Sequence, residues 1–134
     1  MSDQMQFELV SPEKLVVSKP VTMITVPGAE GEYGVLVGHA PMITTVKTGV
    51  IEVYTDETTV PTERIFVTGG FAEVTQTRCT VLADEAIPVA SLNRAKLEEA
   101  YRHLSEKLLI VSESEREACL AEQAIIQAKL QAAA

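Results

Sequence analysis

A change of period at Pro88 limits what this chain can fold into more than any other feature. Up to residue 86 it consists of short β-branched and apolar runs: QFELV, KLVVS, VTMITV, GVLV, MITTV, GVIEVY, RIFVT, FAEV and CTVLA. Runs that recur about every eight to twelve residues between Pro and Gly signals belong to a β-sandwich or barrel. Turn signals stand at Pro27 and Gly28, at Thr48 and Gly49, at Asp56 and Glu57, and at Gly69 and Gly70. Several runs alternate, with Ile51 and Val53 set against Val50, Glu52 and Tyr54. Each such strand has one core face and one outward face.

Beyond Pro88 the spacing becomes helical. Leu97, Tyr101, Leu104 and Leu108 recur at intervals of three and four and form one stripe of a helix, with Ser91 as its N-cap. After the break LIVSES, Ser112 and Glu115 match the capping-box pattern S-x-x-E, so a second helix begins near Ser112. Its stripe is Ala118, Ala121, Ile125, Ala128 and Ala132. Such a stripe approaches a neighbour closely but buries about half the apolar area that leucines would, which makes a weak latch. The short connection implies antiparallel helices. The expected organisation is therefore a β-sandwich over residues 1–87 and a helical hairpin over 88–134.

The 134 residues suffice for one ordinary domain with an extension. Net charge is -8, with a pI near 4.7, and no two Lys or Arg residues are adjacent. This lacks the basic footprint of a nucleic-acid binder. Residues 1–86 carry 12 acids against 5 bases, so most of the acidity belongs to the sandwich. No apolar run approaches the ~18 residues of a membrane span, and the N-terminus has no apolar core of a signal peptide. A cytoplasmic protein without bilayer insertion is expected. Cys79 and Cys119 lie far apart without a CxxC or Cys/His pattern and read as small buried hydrophobes.

The stretch GEYGVLVGHAPM, residues 31 to 42, invites a catalytic reading. A phosphate loop, however, needs G-x-x-x-x-G-K-[ST] between a strand and a helix. Gly31, Gly34 and Gly38 are followed by neither Lys-Ser/Thr nor a helix, so they read as turn residues. His39 falls in a turn and His103 on a helix, with no G-x-S-x-G elbow and no Cys or carboxylate cluster for a metal. The adjacent acids Asp84 and Glu85, and Glu98 and Glu99, point to different faces. The residues favour a binding or coupling module over an enzyme.

The segment GAEGEYGVLVGHAPMITTVKTGVIEV, residues 28 to 53, closely resembles the GE-x-G and GHAP region of the epsilon subunit family of bacterial F-type ATP synthase. IFVTGGFAEV (65–74) resembles that family's glycine-paired strand turn, CTVLADEA (79–86) its last sandwich strand, and LNRAKLEEA (92–100) the start of its hairpin. The resemblance covers about residues 5 to 134. It implies a ten-stranded β-sandwich followed by two antiparallel helices, mainly β with α. It also implies a noncatalytic rotor subunit that packs on gamma, rests on the ring of c subunits and helps transmit proton-driven rotation. Such a subunit lies peripherally on the cytoplasmic face of the bacterial inner membrane. Glu32, flanked by Gly31 and Tyr33, is then the residue for a charge-assisted contact to a basic c-ring residue. His39, Ala40, Pro41 and Met42 would face gamma, with Pro41 fixing the backbone as it enters the next strand.

Departures from the family pattern are specific. Val37 stands where proline usually precedes GHAP, and Thr48 stands where proline usually follows the lysine; both free one backbone dihedral and leave the fold intact. Many members bind ATP on the hairpin through Ile/Leu-Asp-x-x-Arg-Ala, where this chain has Ala90, Ser91, Leu92, Asn93, Arg94 and Ala95. Ser91 replaces the acid, so the position reads as structural and Arg94 remains the candidate ATP contact. No other cofactor and no metal is implied. In the family the last helix also inhibits ATP hydrolysis by meeting an acidic segment of beta, which reaches the alpha and beta subunits and favours a basic helix. Here Glu113, Glu115, Glu117 and Glu122 outnumber Arg116 and Lys129, so inhibition should be weak or absent. Two other classes remain open: a stand-alone nucleotide-binding regulator using Arg94, and an unrelated small enzyme using His39.

Overall fold

A computed structural model describes residues 4–55 and 60–133. The Asp56 and Glu57 turn signal lies outside the described residues. The chain forms two compact units that divide between Pro88 and Val89. The first holds strands β1 (Met5–Val10), β2 (Leu15–Val21), β3 (Met23–Gly28), β4 (Gly31–Leu36), β5 (Met42–Thr45), β6 (Gly49–Tyr54), β7 (Glu63–Val74) and β8 (Arg78–Pro88). The second holds a 3₁₀ turn (Val89–Ser91) and helices α1 (Arg94–Lys107) and α2 (Glu113–Ala133).

The strands follow the order β2-β1-β8-β7-β6-β3-β4, with β5 also on β7. All pairs are antiparallel except β1 with β8. The first part of β7 pairs with β6 and its last part with β5, while β1 pairs with the first part of β8. β7 and β8 therefore pass through both layers of the sandwich. Counted once they make eight described strands; counted as halves they make five in each layer, the ten expected.

The turn expected at Gly69 and Gly70 is not there. RIFVT and FAEV are parts of one strand, whose register on β8 runs unbroken from Ile65 opposite Pro88 to Val74 opposite Cys79. Both glycines have positive φ, 64° and 120°, which lets the strand turn from one layer to the other without leaving the ladder. Pro27 and Gly28 are likewise the last residues of β3, and the turn itself is Ala29 and Glu30.

Alternation decides the core. In β1, Met5, Phe7 and Leu9 are buried while Gln6 and Glu8 are partly exposed; Ile24 and Val26 of β3 and Ile51 and Val53 of β6 join the same cluster. Each such side chain stabilises the unit by about 1.5–3 kcal/mol before entropy is counted. Both cysteines are free and buried.

In the helical unit the local chemistry differs from expectation at three points. The N-cap of α1 is Asn93, whose Oδ1 accepts from the Lys96 N–H at 3.1 Å, because Ser91 is taken up in the preceding 3₁₀ turn. α2 starts where expected, but the Ser112 hydroxyl meets the Ser114 hydroxyl at 3.0 Å, and it is the Ser112 carbonyl that accepts from the Glu115 and Arg116 N–H groups. The inward stripe of α2 agrees with expectation at Ala132, which is buried, but its first turns face differently: Cys119 and Ile126 are buried, Ile125 and Ala128 are half-buried, and Ala118 and Ala121 are exposed. Gln123 lies on the same stripe and its Nε2 donates to Ser105 Oγ of α1 at 2.7 Å. A polar side chain in the seam hid that stripe from a search for apolar spacing.

Candidate functional site

The GEYG segment closes the β3–β4 hairpin. Gly28 opposes Gly31 across a two-residue turn, and Gly31 takes a φ of 120° with no atom near the place of a Cβ. Glycine is required there by conformation and not by space. At Gly28 the reason is space: a Cβ would stand 2.8 Å from Cε1 of Tyr33, whose ring lies over the backbone. Successive residues of β4 point to opposite faces. Tyr33 pairs with buried Val26 and turns toward the core, whereas Glu32 pairs with Pro27 and is exposed on the other face.

Tyr33 anchors this turn. Burial raises its pKa, the neighbouring Cys79 adds to the rise, and the Thr44 side chain opposes it. The phenol oxygen is itself buried, and no described residue meets it with hydrogen-bond geometry. Cys79 is pushed up to about 12 by burial and stays a neutral thiol.

GHAP follows the hairpin as a turn. The His39 N–H donates to the Leu36 carbonyl at 3.1 Å, and the Gly38 N–H donates to the Gln76 carbonyl at 2.7 Å, tying this turn to the one between β7 and β8. His39 Nδ1 lies 2.7 Å from the Ala40 carbonyl oxygen. A carbonyl only accepts, so Nδ1 is the donor in this contact. Ala40 and Pro41 are exposed, and Met42 begins β5 half-buried.

The two segments meet in one open cavity of about 480 Å³, lined among others by Glu30, Gly31, Glu32, Tyr33, His39 and Met42. An isolated bridge between Gly28 and Val46 brings the end of β5 to the hairpin and so assembles the cavity. Arg94 belongs to the other unit, where its Nε donates to Glu98 Oε1 at 3.0 Å one helical turn on. No three His, Cys, Asp or Glu side chains stand together for a metal among the described residues. No described helix is long and apolar enough to cross a membrane.

One surface lay outside the sequence expectations. Phe71 is 58% exposed while Ala72 beside it is fully buried. The alternation of FAEV was visible, but only the layer that β7 enters after Gly70 decides which parity faces out.

The fold and the site together define a β-sandwich that presents two turns at one rim. Residues 4–89 match the family model described as ATP synthase, Delta/Epsilon chain, beta-sandwich domain. The chain is 54% identical to the ATP synthase epsilon chain of Rhodospirillum centenum over 97% of its own length and 92% of the relative's. It is 47% identical to that of Paramagnetospirillum magneticum over 100% and 98%. A chain in the cryo-EM structure of the Euglena gracilis mitochondrial ATP synthase OSCP/F1/c-ring superposes with a TM-score of 0.81 at 26% identity, covering 97% of this chain and 81% of that one. A chain of the Tetrahymena thermophila mitochondrial ATP synthase central stalk/c-ring shares the fold, with a TM-score of 0.64 at 15% identity and full coverage of both. The chain belongs to the ATP synthase delta/epsilon chain family. Its role is that of a stalk subunit and not of the catalytic one.

Proposed function

We propose that this chain couples rotation of the c-ring to gamma at the cytoplasmic face of a bacterial inner membrane. Family membership along nearly the whole chain, together with a glycine-built rim holding both turns, supports this reading most directly. The sandwich is the docking part and the hairpin the regulatory part. Glu32, exposed beside Gly31, meets a basic c-ring residue in a charge-assisted contact, with Tyr33 holding the turn from within. His39, Ala40, Pro41 and Met42 face gamma. The hairpin reaches the alpha and beta subunits only weakly, because the last helix carries more acids than bases. ATP binding at Arg94 is disfavoured for a different reason: its guanidinium pairs with Glu98 and no acid stands at Ser91.

The test is recovery of the tagged chain from membranes. Co-migration with an ATP-hydrolysing complex is expected, and Glu32→Lys combined with His39→Ala should reduce it strongly. A parent chain that stays alone and soluble would sink the proposal. Micromolar ATP binding by the isolated chain in calorimetry would favour the nucleotide-regulator alternative.

A further inference from the structure

We infer that His39 makes the contact of Glu32 sensitive to acid, a reading that rests on the proposed meeting of Glu32 with a basic c-ring residue. The two side chains line one cavity, of about 480 Å³, although they come from different turns. Glu30 and Glu32 give that cavity two acids, and among the described residues no Lys or Arg lines it. Such a lining suits a cationic side chain. Histidine is the residue type whose charge changes between about pH 5 and pH 8, and His39 is the only one in the described lining.

Geometry fixes where the proton goes. Nδ1 donates to the Ala40 carbonyl in either charge state of the ring, so the proton gained in acid goes on Nε2. The turn is held in place on both sides, by the His39 N–H on the Leu36 carbonyl and by the Gly38 N–H on the Gln76 carbonyl. His39 itself is half-buried, which keeps the new charge beside the acids. Few other charges bear on it. From the hairpin come Glu30 and Glu32, and from β4 the Tyr33 phenol, whose raised pKa keeps it neutral in this range. Met42 and Thr44 of β5 are uncharged, as are Thr75, Gln76 and Thr77 in the turn that binds Gly38. Arg78 beyond that turn is paired with Glu8, Cys79 stays a neutral thiol, and Lys47 does not line the cavity. The imidazolium therefore competes for Glu32 and repels the incoming cation, and both effects weaken the contact. Two unit charges about 8 Å apart in half-solvated surroundings correspond to about fivefold in affinity.

Reassociation of the full chain with a ring-containing complex depleted of it, followed from about pH 8 down to about pH 5.5, is the deciding measurement. Each chain is referred to its own affinity at the alkaline end. The parent is expected to weaken by about fivefold, whereas His39→Asn, which keeps a donor near the place of Nδ1 and takes no proton, should change by less than about twofold. Raising salt from about 0.1 M to about 1 M should remove most of the parent's loss, because charges in an open cavity are screened at that ionic strength. The salt comparison needs no variant, so it decides the matter even where His39→Asn misfolds. Parallel profiles for the parent and His39→Asn would overturn the inference, as would a loss in acid that high salt leaves unchanged. A parent that does not reassociate even at about pH 8 sinks the stalk reading. A parent that reassociates there and loses nothing in acid sinks the role of His39 alone.

Discussion

Gly70 and Leu82 approach so closely that a Cβ on Gly70 would stand 1.9 Å from the Leu82 carbonyl oxygen. The contact lies where β7 passes from one layer to the other, and Gly70 holds a φ of 120° there. Gly70→Ala meets both a forbidden conformation and fixed backbone, and should lose about 3 kcal/mol or more in urea unfolding. Gly31→Ala has the same φ but open space, and should lose about 1 kcal/mol. Equal losses at the two sites would mean that the close approach to Leu82 has no energetic weight.

Asn93, and not Ser91, closes the start of α1. Asn93→Ala should reduce helix stability by about 1 kcal/mol, read as earlier exchange of the first-turn amides of α1. Ser91→Ala should stay within about 0.5 kcal/mol of the parent. The reverse order would restore Ser91 as the cap.

Alkaline pH should destabilise the sandwich through Cys79. Its folded pKa, about 12, lies above the ordinary thiol value of 9.0, so between those values the unfolded chain has lost the proton that the folded chain keeps. Stability is then full below pH 9.0 and declines as pH rises toward about 12. The raised Tyr33 phenol acts in the same direction. Unfolding midpoints from pH 8 upward should fall less steeply in Cys79→Ala than in the parent; parallel slopes would remove Cys79 as the cause. The same burial predicts that Cys79 escapes alkylation at pH 8 until the chain unfolds.

Removing the hairpin tests its regulatory weight. A chain ending at Pro88, assembled into the ATPase complex, should change ATP hydrolysis by less than about twofold, because an acidic last helix is repelled by an acidic target. A several-fold rise in hydrolysis would show that the hairpin inhibits despite its charge.

Much of the architecture was legible in the amino-acid order because it depends on local periods. The exchange of strand alternation for helical spacing at Pro88, the inward parity of Ile51 and Val53, and the start of α2 beside Ser112 need only neighbours in sequence. The GHAP turn and the GEYG segment could also be singled out, since each carries its own glycines, although GEYG is the start of β4 and the turn before it is Ala29 and Glu30.

What the sequence alone could not decide is where the chain meets itself at a distance. Gly69 and Gly70 resemble a turn until β8 is laid alongside and holds the strand in register through them. Phe71 and Ala72 alternate equally well either way, and only the layer entered after Gly70 turns the large side chain outward. In α2 the inward stripe follows Gln123, because Ser105 on the facing helix supplies its hydrogen-bond partner. Periodicity is a property of one segment, whereas facing, register and partnership belong to pairs of segments, and pairing is set only by tertiary packing.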